Sequence, residues 1–174
     1  MHISARKISF ISLFIAMSIV LTRMASIRIA IGGVEGIRIG FGKLPIILGS
    51  LMLGPLYGGI IGALSDMVGY IIQPMGPYMP HFTVISGLAG SLPALLFRFF
   101  GENEYHFSKM AVNICVTIVI TDLVLVPYSL HFLFEIPWQI LLIPRLISVP
   151  VTIFLYIYIT HLFIRRNVIH VAQM

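Results

Sequence analysis

Apolar residues run along this chain in long unbroken stretches rather than in alternation, and short polar or proline-glycine breaks divide them. A bilayer-crossing helix needs roughly 20 apolar residues. Continuous runs of that kind exclude the alternating strands of a membrane barrel. The pattern predicts helices over residues 8–24, 41–53, 57–73, 82–100, 110–130 and 138–164. The second and third come from one run, 44–72, interrupted by Gly54-Pro55, because proline lacks the donor that a helix interior uses. At 1.5 Å per residue the second helix reaches only about 20 Å, which is short for a span. A glycine-rich polar stretch, 28–43, precedes it. The connection 74–80 is dense in proline and glycine and carries no charge. The expectation is an all-α integral membrane protein, a six-transmembrane-helix bundle forming a single domain over residues 1–174.

Composition agrees. The chain is 59% hydrophobic and only 10% charged, against about 25% charge in soluble domains, and its mean hydropathy is +1.03. The net charge of +5 does not signal nucleic acid, because the basic residues cap apolar runs instead of forming a surface patch. The single cysteine, Cys115, sits inside an apolar run and offers no disulfide framework. Arg6-Lys7 ahead of an apolar stretch resembles a signal peptide, yet no A-x-A site follows, so a retained first helix is expected.

Six spans put both termini on one side. Arg6, Lys7, Arg98, Lys109, Arg165 and Arg166 then share a face, which the positive-inside rule assigns to the cytoplasm. The opposite face receives loops 24–43, 74–81 and 131–137. The first of these holds Arg28, Arg38 and Lys43, with Arg23 close by. That outer concentration departs from the rule and asks for another explanation, of which an anionic ligand is one.

Ionisable groups within spans are costly and mark functional sites. Three stand out: Asp66, Asp122 and Arg145. Each falls seven or eight residues from the outer end of its helix, so all three lie about 10–12 Å deep. One outward-facing wet cleft would serve all of them. An internal salt bridge between Arg145 and Asp122 is the competing reading. Tyr70, Tyr78 and Phe82 offer flat aromatic surfaces beside this layer, as do Tyr128, His131 and Trp138, although tyrosine and tryptophan also belong to ordinary interfacial belts. Small residues spaced four apart, Gly58 and Gly62 on helix 3 and Ser86 and Gly90 on helix 4, predict close helix packing. Ser12 and Ala16 on helix 1 repeat the spacing and could face another protein.

Catalytic signatures are missing. Gly40-Phe41-Gly42-Lys43 fails as a phosphate loop, since Ile37 and Leu44 stand where glycine and Ser/Thr belong. The six histidines show no metal-ligand spacing, and no G-x-S-x-G elbow occurs. No catalytic residue, metal or cofactor is expected, and active transport must draw energy from elsewhere.

The segment from Gly58 through Ser65-Asp66 to Tyr70, continuing through Pro74-Met75-Gly76-Pro77-Tyr78-Met79-Pro80 to Phe82-Thr83, resembles the folate-type S components of energy-coupling factor (ECF) transporters. Ile143-Pro144-Arg145 is similar too. The resemblance implies a six-helix membrane subunit with both termini cytoplasmic. It would bind folate or a related pterin and associate with a transmembrane coupling protein and two ABC ATPases. It also implies docking through helix 1, where Ser12-x-x-x-Ala16 stands in place of the usual Ala-x-x-x-Ala. A pterin suits these residues on chemical grounds. Its flat face would stack on Tyr70, Tyr78 or Phe82, and its amino-pyrimidinone edge would donate to Asp66 or to Asp122. The anionic glutamate tail would engage Arg23, Arg28 or Arg38, and Arg145 would read a pterin carbonyl or neutralise an aspartate. An S component for another vitamin or flat anionic nutrient, an intramembrane enzyme using both aspartates, and a purely structural subunit are the alternatives.

Overall fold

Each long apolar run forms a helix, and what breaks the runs decides the architecture. The computed structural model describes residues 4–24, 27–31, 34–74, 78–99 and 107–165. Its order is α1 (Ala5–Met24), β1 (Ile27–Ile31), β2 (Val34–Ile39), α2 (Lys43–Leu53), α3 (Pro55–Ile72) and α4 (Pro80–Phe99). Then come α5 (Phe107–Phe134) and α6 (Trp138–Arg165). Five of these helices are long and apolar enough to cross a membrane; α2, with 11 residues, is not. The expected helices are therefore present to within a few residues at their ends. Among the described residues five helices have the length of a full span, and the sixth expected helix, α2, is shorter.

The fold is not wholly helical. The stretch expected as a polar loop contains an antiparallel hairpin that pairs Ile27 with Ile39 and Arg28 with Arg38, with an irregularity after Ile29. Its strands alternate isoleucine with other residues, as in Ile27-Arg28-Ile29-Ala30-Ile31, and β-branched residues at a period of two favour a strand.

α2 is buried along nearly its whole length, from Leu44 to Ser50 and again at Met52. A helix apolar on every side belongs in an interior, and the α2 isoleucines Ile46 and Ile47 join Ile61, Ile114, Ile118 and Tyr156 in the core. At its end Gly54 takes φ +96°, a left-handed conformation that glycine adopts without strain, and Pro55 starts α3. α2 and α3 thus fold back on one another, with Gly49 against Ile61 and Ser50 against Gly58.

The expected small-residue packing is present between α3 and α4. A Cβ at Gly58 would collide with the carbonyl oxygen of Gly90, one at Gly90 with that of Gly58, and one at Gly62 with that of Ser86. Pro93 lies inside α4, and neighbouring side chains bond the backbone beside it: Asn113 Nδ2 donates to the Pro93 carbonyl at 2.7 Å, and Ala94 N–H donates to Ser50 Oγ at 3.2 Å. Many large apolar side chains, including Leu13, Val20, Ile71 and Phe154, point outward, as expected for a lipid-facing surface. The most outward-facing span is α1, whose apolar window is only 11% buried.

Gly62→Leu should lower stability by about 1–3 kcal/mol or more, as overpacking does. Gly87→Ala, whose Cβ would meet nothing nearer than 3.6 Å, should not lower it. Thermal unfolding of the detergent-purified protein checks both.

Candidate functional site

Two polar clusters lie within the bundle. The first is built around an irregularity in α5. Phe107–Ile118 and Val126–Phe134 are α-helical, but Val119–Leu125 is π-helical, with the Val126 N–H reaching back five residues to the Thr121 carbonyl. Such segments are frequent at functional sites. In that register the Asp122 carbonyl would pair with residue 127, but Pro127 has no N–H. The Arg145 guanidinium supplies the donor, with Nη1 at 2.9 Å from the Asp122 carbonyl oxygen. The Asp122 carboxylate turns the other way and takes the Lys43 ammonium, the two side chains remaining 22% and 29% exposed. Lys43 also lies 3.5 Å from Thr121 Oγ1.

The salt bridge that forms is therefore Lys43–Asp122, with Arg145 on the main chain of Asp122, and not the Arg145–Asp122 pair weighed from sequence. Lys43 is the residue that sequence reasoning missed. It was visible as one charge of a basic loop, but its position as the first residue of a short buried helix was not.

The second cluster lies between α3 and α4. Asp66 Oδ2 accepts from Thr83 Oγ1 at 2.7 Å, and Thr83 in turn shares a hydrogen bond of 2.9 Å with Tyr78. The Tyr78 ring rests against Tyr70, centroids 5.1 Å apart and planes inclined by 56°. Tyr70 follows Asp66 by one helical turn, so the carboxylate and the aromatic pair share a face. No described residue hydrogen-bonds the other Asp66 oxygen, Oδ1. Thr83 was visible in the resembling segment without a role; here it orients the carboxylate.

Arg23, on the last turn of α1, donates to the Gly69 carbonyl at 2.5 Å and so lies against the helix that carries Asp66. Phe82 is half-buried in the first turn of α4. Arg28 and Arg38 occupy opposed positions in the hairpin. Ser12 and Ala16 are exposed on α1, away from both clusters.

The clusters share a level of the bundle. Lys43 stands 11 residues before Gly54 and Asp66 stands 12 after it, so each is roughly 17 Å from the turn joining α2 to α3. Arg145 reaches Asp122, Asp122 reaches Lys43, and Lys43 lies level with Asp66. Arg145 on α6 and Asp122 on α5 are thus linked to α2 through Lys43, while Asp66 on α3 bonds Thr83 on α4.

Comparison with known proteins gives a consistent picture. The profile of the family described as ECF-type riboflavin transporter, S component, matches residues 2–166. The folate transporter FolT of Clostridium novyi (strain NT) is 32% identical over 139 residues, covering 80% of this chain and 76% of its own. A crystal structure of FolT bound with folic acid superposes with a TM-score of 0.79 at 21% identity, over 95% of this chain and 98% of that one. A second solved structure, the S component of a bacterial ECF transporter, gives 0.68 at 17% identity over 94% and 95%.

Asp122→Asn should cost roughly 1–3 kcal/mol, because it strands the partly buried Lys43 charge. Asp66→Asn, which disturbs one hydrogen bond, should cost about 1 kcal/mol or less. Unfolding midpoints of the ligand-free protein measure the difference.

Proposed function

This chain belongs to the S-component family of ECF-type transporters, and from that membership we propose that it is the subunit that captures folate for an energy-coupled importer. It is a multi-pass membrane protein and a substrate-binding subunit rather than an enzyme.

The observation that carries the folate reading is the environment of Asp66. Among the described residues, this carboxylate within a span is held by a single hydroxyl, keeps one oxygen open, and has a tyrosine pair at its side. The amino-pyrimidinone edge of a pterin presents N–H donors to such an oxygen, and Tyr70, Tyr78 and Phe82 supply surfaces for its flat face. Engagement of Asp122 by Lys43 favours Asp66 over Asp122 as the pterin reader and makes Asp122 and Arg145 parts of the supporting wall. The glutamate tail is assigned to Arg23, Arg28 and Arg38. Arg28 and Arg38 occupy opposed register positions in the hairpin, which brings two cationic residues to one place for a dianionic tail.

β2 and α2 together span about 35 Å and make one crossing, so the chain crosses six times and both termini lie in the cytoplasm. Arg6, Lys7, Arg98, Lys109 and Arg165 then lie at the cytoplasmic side of their spans. ATP hydrolysis comes from partners: a transmembrane coupling protein with two ABC ATPases. The exposure of Ser12 and Ala16 on the least-buried span supports α1 as the docking face.

A second reading, riboflavin, follows from the name of the matching family. The two differ in charge: riboflavin's ribityl chain carries no carboxylate and leaves the arginines without an anion. Titrations of the purified protein with folic acid, pteroic acid and riboflavin separate them. Folic acid should bind tightest, and Arg28→Ala or Arg38→Ala should weaken it at least tenfold while pteroic acid changes little. Tight riboflavin binding with none for folic acid overturns the assignment. In vesicles reconstituted with the coupling proteins, Ala16→Trp should abolish folate uptake and leave folic acid binding within twofold.

A further inference from the structure

The end of the hairpin where the chain turns into α2 is held from three helices. Ser18 Oγ on α1 donates to the Gly42 carbonyl at 2.8 Å, and Tyr156 OH on α6 donates to the Gly40 carbonyl at 2.5 Å. Lys43, on the next residue, carries the ion pair with Asp122 on α5. The first two are bonds to irregular backbone, which lipid tolerates only where protein satisfies it. The third differs in kind. A cation on the first residue of a helix opposes the helix dipole, so Lys43 does not serve the stability of α2. Its partner sits on a π-helical turn whose main chain is itself secured by Arg145.

We propose that Lys43 is a positioning residue for folate capture. Through Asp122 it fastens the base of the hairpin to the π-helical turn of α5, so that the strands carrying Arg28 and Arg38 keep a fixed relation to Asp66 on α3. This rests on the folate reading above, in which those arginines hold the glutamate tail. Lys43 acts through the hairpin and does not touch the ligand. Losing the pair therefore weakens recognition of the tail and spares recognition of the pterin.

The test uses the full chain in lipid nanodiscs, in a Cys115→Ser background. Spin labels on Val34→Cys at the hairpin and Leu56→Cys at the start of α3 report the hairpin's position without ligand. Lys43→Met and Asp122→Asn should each broaden the distance distribution. Each should also weaken folic acid binding at least tenfold and pteroic acid binding less than threefold. The neutral pair Lys43→Met/Asp122→Asn leaves no lone charge to threaten folding and should stay broadened. The exchange Lys43→Asp/Asp122→Lys keeps a salt bridge and places an acid at the start of α2, where the dipole favours it; it should restore both the narrow distribution and folic acid affinity. Distributions as narrow as wild type in the neutral pair overturn the proposal. So does an equal loss for both ligands, or an exchange that restores the distances and not the affinity, since either makes Lys43 a direct ligand contact. Failure of the parent protein to bind folic acid refutes the functional reading instead, while the ligand-free distances still decide whether the pair fixes the hairpin.

Discussion

Backbone polarity in lipid is the constraint that governs this structure. Every N–H and C=O inside a bilayer needs a partner from the protein, and this chain interrupts its helices repeatedly. Side chains from other elements answer four of these backbone groups: Tyr156 on Gly40, Ser18 on Gly42, Asn113 on Pro93, Arg145 on Asp122. These bonds tie α1, α4, α5 and α6 to the irregular segments. They permit a hairpin root and a half-length helix in the interior. The site follows from them, because an 11-residue α2 brings Lys43 to the level of Asp66.

Charged groups in the interior fall into two arrangements. Asp122 and Lys43 satisfy each other, and Arg145 secures the turn that carries Asp122. Asp66 is held by the Thr83 hydroxyl alone among the described residues and stands beside two tyrosines. The other Asp66 oxygen, without a partner among the described residues, is the one that the proposed reading assigns to the ligand's donors. Close packing of α3 on α4 through Gly58, Gly62 and Gly90 places Asp66 within hydrogen-bonding distance of Thr83. On the proposed reading, helix packing and ligand recognition rest on the same pair of helices.

Much of this was legible in the residues. Runs of apolar residues located the helices, the four-residue spacing of small side chains marked the α3–α4 contact, and the three charged positions marked a common layer. What escaped notice was local backbone geometry. The hairpin's alternation is only five and six residues long and was masked by its arginines and glycines. The π-helical turn depends on where Pro127 falls relative to Asp122, and proline within an apolar run announces a disturbance without its form. Lys43 was hidden for the same reason: its role comes from the start of α2, which a single continuous apolar run obscured. Residues 75–77 of the proline- and glycine-rich connection lie outside the described structure.

A structure of the protein with folic acid bound tests the central claim most directly. The account expects the pterin edge within about 2.7–3.2 Å of the Asp66 carboxylate, with its ring against Tyr70 or Tyr78 and its glutamate tail toward the hairpin. A pterin seated on Asp122 in place of Lys43, or bound elsewhere with Asp66 still engaged by Thr83 alone, would contradict it.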